Sequence, residues 1–318
     1  MIDLVSRDLS ERLEALGQRG ETWLAEAPDI LRRLAGKWRV EPGYLVDSES
    51  SVVAIRGLRR GRPVVIKLAR PGPHLDREIA ILQAARGRGY VHLYDADPER
   101  GGLLLESLGA SIRQQAGHRP DLDPHSIRER VAATLHQAWQ VPRDLAPPVD
   151  ERTHQAAVLL DEIDEGARTL AVEEFRPAIN RALAYAVQRL EARDPLRQVL
   201  VHGDANATNI LAVAADRPGA ESGYVFVGPE GFRCEPEYDL AGYIRDANRS
   251  IMASEDAVVT LRNWCAHLAG LTETDAEAVW QWSYIGRVTM GLRKLTTSPL
   301  HGRLYLQTAT WLITRRPD

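Results

Sequence analysis

Two short runs rich in β-branched residues, 51–55 and 64–68, flank a charged turn near the start of the chain. Each run has the length of a strand, and a turn joins them, so this arrangement is typical of a β-hairpin. Apolar positions then recur at helical spacing over 74–87, and we predict a helix there. Residues 1–109 are therefore expected to form a small antiparallel sheet with one intercalated helix. The two remaining strands are predicted at 91–94 and 103–106.

Two other predicted helices carry local signals in their sequences. Apolar residues recur at roughly helical spacing over 8–36, and Gly20 and Pro28 are expected to interrupt this pattern. Further along the chain, Thr274 and Glu277 have the spacing of a capping box, in which two side chains bond the first free N–H groups of a helix. We therefore predict one or two helices before the sheet, and another that begins beside Thr274.

Helices are predicted to dominate after Gly109. A short β-like island within 199–227 interrupts them. This alternation predicts an α+β protein with a sheet-containing lobe over 1–109 and a larger, mostly helical lobe over 110–318. The predicted helices of the second lobe lie at 125–140, 151–165, 170–193, 236–246, 255–269, 274–294 and 302–315.

The composition excludes several classes of protein. The chain has 318 residues, 44% of them hydrophobic and 26% charged, which is the ordinary mixture of a folded globular protein. No stretch reaches the roughly 18 apolar residues that span a bilayer, and the first residues lack the pattern of a secretory signal. Two cysteines cannot form a disulfide framework, and a net charge of −4 argues against nucleic acid as the main partner. We therefore expect a cytoplasmic protein that binds neither membranes nor nucleic acid.

The most informative segment is 201–211, where Asp204 follows a predicted strand and Asn209 comes five residues later. Phosphoryl transfer from ATP needs such a pair, because a carboxylate must take the proton of the acceptor hydroxyl while a neutral oxygen holds magnesium on the phosphates. The spacing from Asp to Asn matches that of a kinase catalytic loop. The alternative is a polar turn between two strands, without a catalytic role.

Lys67 lies near the end of the predicted strand 64–68, among apolar neighbours. The lysine that binds phosphate in kinases occupies a similar Val-Ala-Ile-Lys strand and pairs with a glutamate on the next helix. Glu78, within the helix predicted over 74–87, is placed to be that glutamate. The alternative is a lysine on an edge strand that extends its ammonium group to solvent, beside a surface glutamate.

Two further segments are candidates for contacts with a nucleotide. A polar turn contains Ser50 and Ser51, whose hydroxyl and backbone groups can donate hydrogen bonds to phosphate. The predicted strand that ends at Gly109 carries aliphatic side chains suited to adenine, with backbone contacts expected near Glu106 and Leu108. A plain polar turn and an ordinary core strand are the respective alternatives.

Three segments give the chain a resemblance to a known family. The segments 23–38, 135–142 and 229–241 are similar to the N-terminal helix, the Leu-His…Pro segment and the metal-loop region of aminoglycoside phosphotransferases, in their streptomycin 6-kinase/hydroxyurea phosphotransferase branch. The resemblance implies a protein-kinase-like bilobal fold. Its first lobe, 1–109, would bind nucleotide, and its second, 110–318, would be the helical catalytic and substrate lobe.

The resemblance also implies cofactors, a substrate class and residue roles. ATP and Mg²⁺ are the expected cofactors, and the expected acceptor is a hydroxyl group of an aminoglycoside-type antibiotic, with streptomycin as the leading example. By this resemblance, Asp204 is the catalytic base and Asn209 is a magnesium ligand. Lys67 anchors the phosphates and Glu78 is its partner. Asp239 braces the catalytic loop.

One position departs from the family pattern. The family has an aspartate, a second metal ligand, before the proline that follows the strand 224–227, and this chain has Gly228 there. Losing that carboxylate removes the main negative charge that attracts the magnesium ion. Three interpretations stay open: a working enzyme that carries the substitution, a replacement of the ligand by a neighbour such as Glu230, or a protein that binds nucleotide without turning it over.

Two hypotheses of function follow from these residues. The first is a small-molecule kinase that phosphorylates a hydroxyl group, and the second is an impaired pseudo-kinase that binds nucleotide or a small ligand. A protein kinase is disfavoured because a Gly-rich loop and an Ala-Pro-Glu segment are missing from the sequence. The sequence does not fix the oligomeric state, although a monomer is favoured.

Overall fold

The computed structural model of the chain describes residues 18–46, 53–116 and 123–314. Within them, no helix combines the length and the apolar character that crossing a membrane requires.

The chain divides into two compact units, and the division does not simply follow the order of the sequence. The first unit combines Met1–Ala110 with Leu211–Gly228, and the second combines Ser111–Ile210 with Pro229–Asp318. The first break falls one residue beyond the lobe boundary predicted after residue 109. The segment Leu211–Gly228, which the sequence placed in the second lobe, is grouped with the first unit.

The first unit contains a five-stranded antiparallel sheet with the strand order β1-β2-β3-β5-β4. The predicted hairpin is confirmed as β2 and β3, which pair from Val53 opposite Leu68 to Arg59 opposite Arg62. The strands are β1 (Val40–Val46), β2 (Val53–Arg59), β3 (Arg62–Leu68), β4 (Leu93–Asp97) and β5 (Gly102–Glu106).

Helix α1 (Gln18–Trp38) contributes a buried apolar face to the core of the first unit. Leu34 and Trp38 belong to one cluster with Ile66 and other apolar residues of the strands. The predicted interruption at Pro28 is wrong, since the helix continues through it. Burial of the apolar face on both sides of the proline compensates for the backbone hydrogen bond that proline cannot donate.

The predicted helix over 74–87 is confirmed as α2 (Pro73–Ala85). Proline in the first turn suits a helix start, because the missing N–H would have no partner inside the helix. The helix ends at Ala85. The capping residue Arg86 is left-handed (φ 50°), and its N–H donates to the carbonyl of Leu82.

The second unit is mostly helical, as predicted. Its α10 (Ala276–Thr297) is the most deeply buried helix among those described, and it packs against helices on several sides. The other helices are α3 (Ile112–Gln115), α4 (Pro124–Ala138), α5 (Gln155–Thr169), α6 (Arg176–Glu191), α7 (Glu237–Arg245), α8 (Asn248–Met252), α9 (Ala257–Thr272) and α11 (Pro299–Thr314).

The predicted capping box at Thr274 is wrong. The N-cap of α10 is Asp275, whose carboxylate accepts a hydrogen bond from the Glu277 N–H at 2.8 Å. Thr274 and Asp275 are both good N-cap residues. The extended backbone of Asp275 (φ −91°, ψ 114°) places its carboxylate over the first turn.

Four three-residue strands form the β-like island predicted between the helices. β6 (Val199–Val201) pairs antiparallel with β9 (Phe232–Cys234), and β7 (Ile210–Ala212) pairs with β8 (Tyr224–Phe226). Residues 202–209 connect β6 to β7. The segment that carries the Asp204 and Asn209 motif therefore follows a strand of one two-stranded sheet and leads into a strand of another.

Candidate active site

The structure brings Asp204 and Asn209 together within the second unit. The Asn209 side-chain N–H₂ group donates to the Asp204 carboxylate (Oδ2) at 3.0 Å and to its main-chain oxygen at 2.9 Å. Asn206 donates to the same carboxylate oxygen at 3.0 Å. Because the amide nitrogen of Asn209 is engaged, its side-chain oxygen is the atom that it offers to a metal ion.

Asp239 holds the loop in front of Asp204. Its fully buried carboxylate accepts hydrogen bonds from the backbone N–H groups of His202 (2.7 Å) and Gly203 (3.0 Å) and from the Trp139 indole (3.0 Å). Burial raises the pKa of the Asp239 carboxyl, and these contacts partly offset that effect. Gly203 has φ +91°, and a Cβ there would lie 2.7 Å from the Phe232 ring, so the turn requires glycine. The predicted bracing contact is present.

Arg245 contacts Asp204, and the sequence analysis did not anticipate this contact. Its buried guanidinium group donates to the second oxygen of Asp204 at 3.4 Å, and to Asp246 at 2.9 and 3.2 Å. Tyr305 donates to Asp246 at 2.8 Å. Burial alone lowers the pKa of Arg245, but the Asp246 and Asp204 carboxylates outweigh burial and raise it. Asp204 therefore has a permanent cation beside it.

We expect the substitution Arg245→Gln to lower the free energy of unfolding by about 1–3 kcal/mol at neutral pH, because it leaves the partly buried Asp246 charge without its main partner. In the wild type, burial raises the pKa of Asp246, but Arg245 outweighs burial and holds the pKa below its ordinary value. Urea denaturation of both proteins between pH 4 and pH 8 measures the difference.

The sign of the pH dependence separates this charge effect from simple loss of packing. In the wild type, Asp246 stabilises the fold above its unfolded-state pKa of about 4, and this stabilisation disappears as the pH falls through the lower folded-state pKa. In Arg245→Gln, burial is expected to raise the folded-state pKa of Asp246, so stability is lost as the pH rises through it. The two proteins should therefore differ most at neutral pH and least near pH 4. A difference that does not change with pH would contradict this account.

The first unit contains the predicted ion pair between Lys67 and Glu78. The Lys67 ammonium nitrogen lies 2.6 and 2.8 Å from the two carboxylate oxygens of Glu78, which is buried on α2. Lys67 is on β3, a central strand of the sheet, and only 15% of its side chain is exposed. The alternative of a lysine on an edge strand is therefore wrong. The pair fixes the ammonium group in one position.

Gly228 belongs to the same unit as this ion pair and lies close to it. A Cβ added at Gly228 would have the Lys67 ammonium nitrogen as its nearest neighbour, at 3.9 Å. The backbone there is left-handed (φ +66°), a conformation in which aspartate and asparagine are the best tolerated of the residues with side chains. The position thus has the space and the backbone conformation for the aspartate that the family pattern has there.

Glu230, the suggested replacement ligand, lies beside the Asp204 loop in the second unit. Its backbone N–H donates to the His202 carbonyl at 2.8 Å. A Cβ added at Gly203 would lie 3.3 Å from the Glu230 carboxylate. Of the residues named for magnesium, Asn209 offers one neutral oxygen and Gly228 offers no side chain. These residues therefore fit the ion only in part, since magnesium in such sites usually has one or two carboxylate ligands.

The segment predicted to hold adenine has its polar groups engaged by two arginines. Glu106 donates its N–H to the His92 carbonyl at 2.9 Å, and its carboxylate accepts two hydrogen bonds from Arg217, at 2.9 and 2.7 Å. The Leu108 carbonyl accepts from Arg56 at 2.5 Å. The sequence analysis did not anticipate either arginine. Arg56 holds the backbone of this segment at Leu108, and Arg217 holds the Glu106 side chain.

Ser50 and Ser51, the predicted phosphate contacts, lie outside the described residues. Their role stays a prediction.

Known proteins resemble the chain along most of its length. Streptomycin 6-kinases from Streptomyces glaucescens and Streptomyces griseus are each 27% identical to the chain, over 85% and 84% of it and over 83% and 82% of their own lengths. A solved structure of a thermostable mutant of the aminoglycoside phosphotransferase APH(4)-Ia, with ADP and hygromycin B, covers 89% of the chain and 99% of its own, with a TM-score of 0.59 and 11% identity.

This structural likeness establishes the protein-kinase-like α+β fold that the resemblance implied. The family model described as aminoglycoside/hydroxyurea antibiotic resistance kinase matches residues 37–295. These residues include the ion pair of the first unit and the Asp204 loop of the second. The chain therefore belongs to the family of aminoglycoside/hydroxyurea antibiotic resistance kinases.

Proposed function

We propose that the protein transfers the γ-phosphoryl group of ATP to a hydroxyl group of an aminoglycoside-type antibiotic, with streptomycin as the first candidate. The observation that carries the proposal is the Asp204 carboxylate, which two asparagines and Arg245 hold in a loop braced by buried Asp239. The streptomycin 6-kinases that resemble the chain along most of its length favour this acceptor.

Asp204 takes the proton of the acceptor hydroxyl group. The oxygen of that hydroxyl forms a bond to the γ-phosphorus while the bond from this phosphorus to the bridging oxygen breaks, and ADP leaves. Hydrogen bonds from Asn206, Asn209 and Arg245 hold the carboxylate in one orientation. A base held in a fixed orientation favours the productive geometry of transfer.

The first unit supplies the contacts to the nucleotide. Lys67, fixed by Glu78, donates to the phosphate oxygens, and its charge offsets part of theirs. The Glu106 N–H and the Leu108 carbonyl already have partners. The Glu106 carbonyl and the Leu108 N–H are therefore the groups that we assign to adenine. Mg²⁺ would be held by the phosphates and the side-chain oxygen of Asn209, and it would neutralise phosphate charge.

The family match and the two named kinases favour this proposal over a pseudo-kinase. The pseudo-kinase hypothesis rests on Gly228 alone. The chain retains the other residues expected of the site, which are Lys67, Glu78, Asp204 and Asn209. The proposal therefore requires the enzyme to work without one metal ligand, and it keeps the catalytic base.

An acceptor-dependent assay tests the proposed function. The purified protein with ATP and Mg²⁺ is incubated with streptomycin, hygromycin B, hydroxyurea or no acceptor, and ADP release and ³¹P resonances of the product are recorded. We expect ADP release that depends on streptomycin, together with one phosphate monoester resonance. Nucleotide binding without a phosphorylated product from any acceptor would contradict the kinase and support the pseudo-kinase.

A further inference from the structure

Two histidines and a glutamate meet on neighbouring helices of the second unit. His125 and Glu129 are one turn apart on α4, and His267 is on α9. One ligand atom from each residue lies within 4.8 Å of the other two. The two imidazole rings stack with their centroids 4.0 Å apart, and His125 lies 3.4 Å from the Glu129 carboxylate. The proposed kinase reaction uses none of these residues.

We propose that His125, Glu129 and His267 form a binding site for a divalent transition-metal ion, with zinc as the best match. Two imidazole nitrogens and one carboxylate oxygen are a recurrent donor set for zinc, with water in the fourth position. The ion would join α4 to α9. This site is separate from the magnesium that the kinase reaction needs.

Metal binding requires the two imidazole rings to leave their stacked arrangement, because an imidazole nitrogen binds a metal ion in the plane of its ring. Tetrahedral zinc with ligands at about 2.0–2.2 Å places ligand atoms roughly 3.3–3.5 Å apart, so separations of up to 4.8 Å must close by about 1.5 Å. His125 and Glu129 are 62% and 51% exposed, and their side chains are free to rotate toward an ion arriving from solvent. Their spacing of four residues already places both on one helix face.

Arg128 is the group that a metal ion must displace. It donates a hydrogen bond to the Nδ1 atom of His267 at 3.2 Å, and its guanidinium carbon lies 5.4 Å from the centre of the Trp264 ring. A metal bound at Nδ1 replaces this hydrogen bond directly. If the metal binds the other ring nitrogen, Nδ1 carries a proton and can no longer accept the hydrogen bond from Arg128. In the absence of metal, Arg128 therefore competes for the site.

Zinc titration of the full chain tests this site. The protein is produced without a histidine tag, treated with a chelator, desalted and titrated with zinc by calorimetry. We expect one ion per chain, and binding more than about tenfold weaker in His125→Ala and in His267→Ala. His136→Ala is the matched control, because His136 is an exposed histidine of the same helix outside the cluster, and it should bind like the wild type. Removing the competing cation by Arg128→Gln should tighten binding.

Two further measurements do not depend on the calorimetry. Cobalt(II) should give the visible absorption of a four- or five-coordinate site in the wild type but not in His267→Ala. Zinc should raise the melting temperature of the wild type and leave that of His267→Ala unchanged, since only an ion bound to the folded state stabilises it. Absence of saturable zinc binding by the wild type would overturn the proposal, and so would binding by both histidine variants that is as tight as that of the wild type. If Arg128→Gln did not tighten zinc binding, the proposed competition by Arg128 would be wrong.

Discussion

The substitution Asp204→Asn is expected to lower kcat for phosphorylation of the acceptor by about 10²–10⁴-fold, which is the typical contribution of a general base. Asparagine has the same shape as aspartate, and its oxygen can still accept hydrogen bonds from Asn206 and Asn209, but it cannot take the hydroxyl proton. The affinity for ATP should change by less than about threefold, because our proposal assigns the phosphate contact to Lys67. Steady-state kinetics and nucleotide titration measure the two quantities separately.

A matched control for this substitution is Asp216→Ala, which removes an exposed carboxylate that lies outside the Asp204 hydrogen-bond network. We expect it to leave kcat and ATP affinity unchanged. If Asp204→Asn retained full activity with the fold intact by circular dichroism, the general base would have to be another group. Loss of nucleotide affinity in parallel with kcat would instead indicate that Asp204 organises the binding site.

Sequence reasoning succeeded where the signal was local. The hairpin β2–β3 was predictable because two β-branched runs flank one charged turn. The pair between Lys67 and Glu78 was predictable because only a short connection and part of one helix separate the strand lysine from its partner. Asp204 and Asn209 could be matched because their spacing is itself a motif.

The contacts that the sequence did not predict join residues far apart in the chain. Arg245 lies 41 residues from Asp204, and Arg217 lies 111 residues from Glu106. For an arginine near the end of a helix, or in a loop, no periodic pattern in the sequence identifies the residue that it contacts. Only the folded backbone brings such residues together, so these contacts could not be inferred without the topology.

Local signals also failed where packing or a one-residue offset decided the outcome. Pro28 is ordinarily a helix breaker, yet burial of Ala27 and Leu31 beside it holds the helix together. Thr274 and Asp275 are both good N-cap residues, and the sequence does not show which of them the backbone places at the helix start. Such choices depend on tertiary contacts rather than on residue type.

The substitution Gly228→Asp is expected to tighten magnesium binding in the nucleotide complex by at least about tenfold, and to raise kcat/KM for ATP at low magnesium concentration. It introduces a carboxylate at a position whose backbone is left-handed and whose nearest neighbour is the Lys67 ammonium group. The carboxylate adds the anionic ligand that Asn209 cannot supply. The left-handed conformation costs a residue with a Cβ about 1–2 kcal/mol, so a lower melting temperature should accompany the gain.

The matched control is Gly228→Asn, which has the same shape and tolerates the same backbone conformation but carries no charge. Comparing the two variants cancels the backbone cost and isolates the carboxylate. Binding of Mn²⁺, followed by electron paramagnetic resonance in the presence of a non-hydrolysable nucleotide, and the dependence of kcat/KM on magnesium should both favour the aspartate variant. Equal behaviour of the two variants in both measurements would contradict a missing metal ligand at this position. If the wild type already bound magnesium as tightly as Gly228→Asp does, another group, such as the Glu230 carboxylate, would have to replace the missing aspartate.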